Sequence, residues 1–218
     1  MNILYIEARK KFKDIDMSPL DNLEGNTISL AATIQYIDLI PKIKQYLESK
    51  NKQVILKKGP IHIGQVLGCN SSAFDNKADT LLLITDGKFH AINNAIALQR
   101  EIHVFNTRTL EKVEQKEIDT HNQKVLTKQK KFLTAKKVGL LVSTKQGQNF
   151  GPIQKIKKQI EALDKRAYIF EANNINPAEF ENFPQIQIWI NTACYGLARD
   201  SVDIINLQDV SDFIKTNS

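Results

Sequence analysis

Two cysteines and two histidines carry most of the reactive chemistry available to this sequence. Cys69 and Cys194 are its only cysteines, and neither belongs to a C-x-x-C pair. That excludes local zinc spacing and a thioredoxin-type dithiol, and a disulfide is not expected in a reducing compartment. A lone cysteine is commonly a small buried hydrophobe. These two sit instead in polar, loop-like settings, GQVLGCNSS and NTACYG. A thiolate in such a setting is a nucleophile or a metal ligand. His62, in GPIHIGQ, reads as a structural loop residue. His90 follows the Thr85-Asp86-Gly87 turn and could face a cleft, but no serine or cysteine with a third orienting residue stands beside it, so a hydrolytic triad has no support.

Three polar turns follow strand-like runs. They are Thr85-Asp86-Gly87, Ser143-Thr144-Lys145-Gln146-Gly147-Gln148 and Asn191-Thr192-Ala193-Cys194. In open α/β sheets, ligands sit at the carboxyl ends of the strands. The second turn offers hydroxyls, a lysine and a glycine where backbone can approach a charged group. It lacks P-loop spacing, and each turn taken alone is equally compatible with ordinary turn chemistry.

The elements that must position these residues follow from apolar periodicity. Strands are predicted over Ile3–Ile6, Thr27–Ala31, Val54–Leu56, Leu81–Ile84, Ile102–Phe105, Val138–Val142, Ala167–Phe170 and Gln187–Ile190. Helices are predicted over Gln35–Glu48, Phe89–Leu98, Gln123–Leu133 and Ile153–Leu163. The first of these spaces Ile37, Ile40, Ile43 and Leu47 along one face. Alternating strands and helices argue for right-handed βαβ units and open parallel sheets. The stretch 109–122 is polar and charged and marks a boundary. The predicted fold class is therefore α/β, two small open parallel-sheet domains of similar plan: 1–110 carrying Cys69, and 111–218 carrying Cys194.

At 218 residues, with 42% apolar and 25% charged side chains, the composition is that of a globular protein with a core of its own. No window approaches ~18 uninterrupted apolar residues, and no signal peptide is read at the N-terminus. A cytoplasmic location without membrane contact is the expectation. The net charge of +6 is uneven. Residues 1–120 carry 16 basic and 15 acidic groups, and residues 121–218 carry 14 and 9. Between Asp119 and Glu161 there is no carboxylate, while Lys124, Lys128, Lys130, Lys131 and five further lysines, among them Lys145, fall there along with Lys136. This stretch could be a surface for an acidic partner or a solvated face. Because aromatic and arginine contact residues are not interleaved with the lysines, nucleic acid is not expected.

Taken in order, several segments resemble the radical S-adenosylmethionine enzyme family of diphthamide synthesis. GPIHIGQVLGCNSSAF is similar to its central cysteine segment, and TIQYIDLIPKIKQYLESK to its T-x-Q-H-like turn opening a helix. ITDGKFHAINNAIAL resembles its G-x-F-H stretch, KKVGLLVSTKQGQ its V-S-T-K-x-G-Q turn, and INTACYGLARDSV its third cysteine motif. The similarity runs from about Met1 to Val210. Two departures stand out. The usual A-C-P-R reads Ala193-Cys194-Tyr195-Gly196, and the T-x-Q-H-like turn reads Thr33-Ile34-Gln35-Tyr36, with tyrosine in place of histidine.

The resemblance implies three related α/β domains, each giving one cysteine to a 4Fe–4S cluster, of which this chain matches the second and third. It implies that Cys69 and Cys194 are brought together as cluster ligands. It also implies that Gln35, Gln65, His90, Ser143, Thr144, Lys145 and Gln148 line one S-adenosylmethionine cleft between the domains, with Lys145 on the carboxylate. The implied reaction is aminocarboxypropyl transfer to a histidine of translation elongation factor 2, the first step of diphthamide synthesis. A separate polypeptide is expected to supply the first domain and the third thiolate, an electron donor is needed, and a homo-oligomer is the default. Two other readings are a non-catalytic relative serving as scaffold or cluster-reduction subunit, and a generic α/β ligand-binding protein.

Overall fold

The computed structural model describes residues 6–145, 150–199 and 201–215. The chain divides into two units, Met1–Thr120 and His121–Ser218. Each has its own sheet.

The first unit contains β1 (Thr27–Ala32), β2 (Gln53–Ile55), β3 (Thr80–Ile84), β4 (Ile102–Phe105) and β5 (Leu110–Val113), with α1 (Ile40–Ser49) and α2 (Lys88–Leu98). Its sheet runs β2-β1-β3-β4-β5. The first four strands are parallel, and β5 pairs antiparallel with β4. Alternate residues of β1 and β3 serve two faces, as the period of two requires. Ile28, Leu30, Leu82 and Ile84 pack with Ile40, Ile43 and Leu47 of α1, whereas Ala31, Leu81 and Leu83 pack with Ala91 and Ala95 of α2. Burial on both faces explains why β3 is an unbroken apolar run.

The second unit contains β6 (Lys137–Ser143), β7 (Arg166–Ala172), β8 (Ile188–Asn191) and β9 (Ile204–Asn206), with α4 (Ile153–Glu161) and α5 (Leu207–Lys215). The sheet runs β7-β6-β8-β9, all parallel. Helix α3 (Gln115–Thr134) holds the division between the units within its length. One face of the second sheet packs Leu140, Ile188 and Ile190 with Ile160, Val210 and Phe132. The other carries an aromatic cluster in which Phe180 stacks on Trp189 at 4.2 Å and Phe170 meets it edge-on at 4.7 Å. Gly139 makes this possible, because a Cβ there would lie 2.3 Å from Cε3 of Trp189.

The α/β class and the two mainly parallel sheets agree with the expectation. Several details differ. The division falls at Thr120/His121 rather than 110/111, because residues 110–113 add an antiparallel edge to the first sheet. The helix expected over 35–48 is a 3₁₀ segment, Ile34–Leu39, followed by α1. Pro41 near its start has no N–H to join an α-helical ladder through this point. Helix α3 begins at Gln115, eight residues before the predicted start. The expected strand Ile3–Ile6 falls mostly on residues outside those described, and Ile6 is in no strand.

Candidate functional site

In the first unit, the chain leaves β2, makes an excursion over residues 56–64, and returns to the carboxyl end of β1. Gln65 bridges Ala32 in parallel. Ala32 N–H donates to Gly64 O at 2.8 Å and Val66 N–H to Ala32 O at 3.0 Å. The excursion is folded on itself. Gly59 N–H donates to His62 O at 3.0 Å, and Gln65 Oε1 accepts from His62 N–H at 3.0 Å. Gly59 has no alternative, since a Cβ there would stand 2.0 Å from the Gln65 carbonyl oxygen.

Beyond Val66 comes a tight turn. Leu67 and Asn70 exchange backbone hydrogen bonds of 3.1 and 3.3 Å, leaving Gly68-Cys69 at the tip. Asn94 of α2 anchors this turn, its Nδ2 donating to Leu67 O at 3.0 Å and to His90 O at 2.7 Å. Cys69 is an exposed free thiol. His90, in the first turns of α2, is half-buried and meets the Phe89 ring edge-on. Burial lowers its pKa, against a weaker opposing pull from Asp86.

Gln35 lies in the 3₁₀ segment directly after β1, and its carbonyl accepts from Lys10 N–H at 2.9 Å. This contact belongs to a strap, residues 6–16, whose role sequence reading missed. Arg9 pairs with Asp38 and Glu7 at 2.7 Å each, and Glu7 reaches His62 Nε2 at 2.5 Å. The Lys10 ammonium contacts Asp86 and donates to the Tyr36 hydroxyl at 2.9 Å. The hydrogen bond from His62, then that from Arg9, lowers the Glu7 pKa. Tyr36, the residue that departs from the T-x-Q-H-like pattern, is thus tied into a Lys10–Asp86 pair. These three line a polar cleft of about 760 Å³, together with Phe12, Asn106 and Arg108. The strap's sequence gives no sign of this role, since its charged residues Glu7, Arg9, Lys10, Lys11, Lys13, Asp14 and Asp16 are the composition of a solvated segment.

In the second unit, Ser143 closes β6, and its Oγ accepts from Lys145 N–H at 3.2 Å. Thr144 N–H donates to Ala172 O at 3.1 Å. The Thr144 and Lys145 side chains are exposed. Gln148 lies outside the described residues. Cys194 comes three residues after β8, also as an exposed free thiol. Buried Asn191 holds its loop. The Asn191 Nδ2 donates to Cys194 O and to Asn206 Oδ1, each at 2.8 Å, and its Oδ1 accepts from Ala193 N–H at 3.0 Å. Tyr195, which stands where A-C-P-R has proline, places its hydroxyl 3.5 Å from His121 Nε2. Burial pushes the Tyr195 pKa up to about 12. His121 is pushed down by burial and by Lys128, Arg199 and Lys124.

Within the first unit, Gln35, Gln65, Cys69 and His90 therefore gather at the carboxyl edge of the sheet. Within the second, Ser143, Thr144, Lys145 and Cys194 do the same. Each edge offers one thiol to a metal. Among the described residues, no group of three or more His, Cys, Asp or Glu could hold a metal ion, and no helix is long and apolar enough to cross a membrane. A cysteine thiolate is the donor that iron–sulfur clusters take, and each edge presents one.

A family model described as "Putative diphthamide synthesis protein" matches residues 1–206. The chain is similar to the 2-(3-amino-3-carboxypropyl)histidine synthase of Pyrococcus horikoshii, at 28% identity over 78% of this chain and 50% of that protein. It is also similar to subunit 1 of the synthase from Gallus gallus, at 26% identity over 81% of this chain and 44% of that protein. The crystal structure of Dph2 from Pyrococcus horikoshii superposes with a TM-score of 0.80 at 24% identity, covering 93% of this chain and 61% of that one. The same protein with a 4Fe–4S cluster gives 0.77 at 25% identity, covering 89% and 59%. The chain thus spans about half the length of the curated relatives it matches.

Proposed function

Because the chain belongs to the diphthamide synthesis protein family, we propose that it is part of a 2-(3-amino-3-carboxypropyl)histidine synthase in which Cys69 and Cys194 ligate a 4Fe–4S cluster. The observation that carries this reading is the placement of both cysteines as exposed free thiols in loops at the carboxyl edge of a parallel sheet. The third thiolate comes from outside these 218 residues, which contain no other cysteine. When bound, such a cluster supplies one electron to the sulfonium of S-adenosylmethionine, freeing the 3-amino-3-carboxypropyl group for an imidazole carbon of elongation factor 2 in the cytoplasm.

The chain's own residues bind and orient. Lys145 takes the cofactor's carboxylate, helped by Ser143, Thr144 and Gln148. Gln35, Gln65 and His90 serve its amine as acceptors. His90 suits that role because burial holds its imidazole neutral. Turn amides and the Asn191 clamp keep the Cys194 backbone in place, so its sulfur needs little reorganisation to bind iron.

The reading is tested by anaerobic reconstitution with iron and sulfide, with and without a polypeptide bearing the third cysteine. Absorption and electron paramagnetic resonance should report a 4Fe–4S cluster only in the complex, and Cys69→Ala or Cys194→Ala should abolish it. Cleavage of S-adenosylmethionine to methylthioadenosine should then follow under dithionite. The replacements at Tyr36 and at Tyr195-Gly196 favour a second reading, a non-catalytic subunit that scaffolds the complex or reduces the cluster. In that case the cluster assembles and cycles but no methylthioadenosine forms. Stable assembly on the chain alone would overturn the need for an outside thiolate.

A further inference from the structure

The lysine-rich stretch divides, in the folded chain, into two kinds of lysine. Lys131 contacts Asp203, Lys136 pairs with Asp164 at 2.9 Å, and Lys157 pairs with Glu161 at 3.7 Å. Lys124 and Lys128 are placed differently. With Thr127 they follow the i, i+3, i+4 spacing that sets side chains on one face of a helix, here α3. That face meets the chain just beyond the Cys194 loop. Lys128 is 8% exposed, and its ammonium donates to Ala198 O at 2.5 Å. Lys124, Thr127, Lys128, Arg199, Ser201 and Val202 line a pocket of about 260 Å³ at this junction, inside the second unit. No carboxylate is among these described lining residues. The Thr127 hydroxyl donates to Gln123 O at 3.0 Å, whereas Ser201 Oγ accepts from Asp203 N–H at 3.2 Å and keeps its own O–H for a ligand.

We propose that this pocket binds a small polyvalent oxyanion of the phosphate class. Three cations around one small cavity focus a positive potential and draw counter-ions into it. That potential is felt beside the pocket: after burial, repulsion from Lys128, Arg199 and Lys124 lowers the His121 pKa. Two carboxylates on neighbouring segments also feel the lysines, Asp203 through its contact with Lys131 and Asp209 through attraction to Lys128. Ammonium, guanidinium and hydroxyl donors suit an acceptor with oxygens on every side, and the guanidinium fork matches two of them at once. The volume lies below the ~300–1,000 Å³ that holds drug-sized ligands. It therefore fits inorganic phosphate or diphosphate rather than a nucleotide. Neither iron nor S-adenosylmethionine takes part in this binding.

The test is calorimetric titration of the whole metal-free chain with inorganic diphosphate, at an ionic strength held constant with sodium chloride. The parent chain should bind it saturably. Arg199→Gln should weaken binding about tenfold, the scale of a hydrogen bond to a charged group. Lys124→Ala should weaken it up to about fivefold, the scale of an exposed ion pair. Because Lys124 is exposed, that variant decides the matter if Arg199→Gln fails to melt cooperatively. Lys130→Ala, on the same helix but outside the pocket, should leave the affinity unchanged. Inorganic phosphate, in a second arm, should bind more weakly and lose affinity in the same variants. No saturable binding by the parent overturns the proposal. Equal weakening by Lys124→Ala and Lys130→Ala also overturns it, since that is the mark of a diffuse basic face. Asp200 stands between Arg199 and Ser201 in sequence and lies outside the described residues, so Asp200→Asn is titrated as well. Binding by that variant and not by the parent would assign the pocket to the chain's own carboxylate, and the proposal would fall.

Discussion

The loops bearing Cys69 and Cys194 reach the same kind of place by different means. Cys194 is local: β8 ends, two residues pass, and Asn191 at the strand's own terminus holds the loop with two hydrogen bonds and the neighbouring β9 with a third, to Asn206. Cys69 is non-local. Its turn is held by a folded excursion that rejoins β1 at Ala32, and by Asn94 from a helix 25 positions further along the chain. In both loops a buried asparagine amide holds the backbone while the thiol remains exposed. The contrast teaches that the Cys194 loop is a property of one strand end, whereas the Cys69 turn depends on several segments staying in register. The two should therefore break differently.

The largest effect is expected at the closest backbone approach. Gly59→Ala places a methyl 2.0 Å from the Gln65 carbonyl, and a backbone atom cannot rotate away. We expect a loss of about 3 kcal/mol, at the upper end of overpacking costs, read as a lowered urea midpoint. Hydrogen-exchange protection should fall at residues 64–70, while β6 and β8 keep theirs. Gly139→Ala is the matching change in the second unit. It clashes with the Trp189 ring, so protection should fall in β6 and β8 while the Cys69 turn is spared. If either change loosened both loops equally, the local and non-local distinction would be lost.

Next come the two clamps. Asn191→Ala removes three hydrogen bonds and leaves Asn206 Oδ1, Cys194 O and Ala193 N–H without that partner. Asn94→Ala removes two bonds. At roughly 1–3 kcal/mol for buried groups left unmatched, Asn191→Ala should cost more stability. Exchange should quicken over residues 193–197 in the first variant and over 67–70 in the second. Equal melting curves for both would mean that the Cys69 turn is as dependent on its single clamp as the Cys194 loop.

How much of this was legible in the sequence also divides along the same line. β3 was readable because a strand buried on both faces is an unbroken apolar run, and β4 and β8 because apolar residues dominate them despite His103 and Asn191. Strand β5 was not. Its Leu110-Glu111-Lys112-Val113 is a charged edge, as edges tend to be, and charge hides a strand from an apolar pattern. Strand β9 is too short to register, and α5 escaped although Leu207, Val210 and Ile214 share a face. At the candidate site, the cysteine loops and the turns after β3, β6 and β8 were found from residue type and position. The clamps Asn94 and Asn191 and the strap around Lys10 were not. An asparagine inside a helix or at a strand end carries no signal of what it holds until the chain folds, and the Lys10–Asp86 contact joins residues 76 positions apart.

The smallest effect expected is on pH dependence, and it separates the two sites by their electrostatics. His90 and His121 are each half-buried and both have pKa values lowered from the ordinary 6.5, mainly by burial. A histidine depressed in the folded state binds fewer protons there than in the unfolded state. Its contribution is complete above pH 6.5 and is lost as pH falls from 6.5 through the lowered folded value. The surroundings differ, however. Asp86 pulls His90 back upward, while Lys128, Arg199 and Lys124 push His121 further down. Between pH 7 and pH 5, the urea midpoint should therefore fall less steeply in His121→Gln than in the parent chain, and His90→Gln should flatten the slope to a smaller degree. Partial exposure to solvent keeps both effects small. Asp209, pushed up by burial, titrates in the opposite sense from an ordinary 3.8, so the comparison is made in an Asp209→Asn background. A greater flattening from His90→Gln would show that the lysine-rich stretch does not set the potential beside Tyr195; equal flattening would show that the two edges are electrostatically alike.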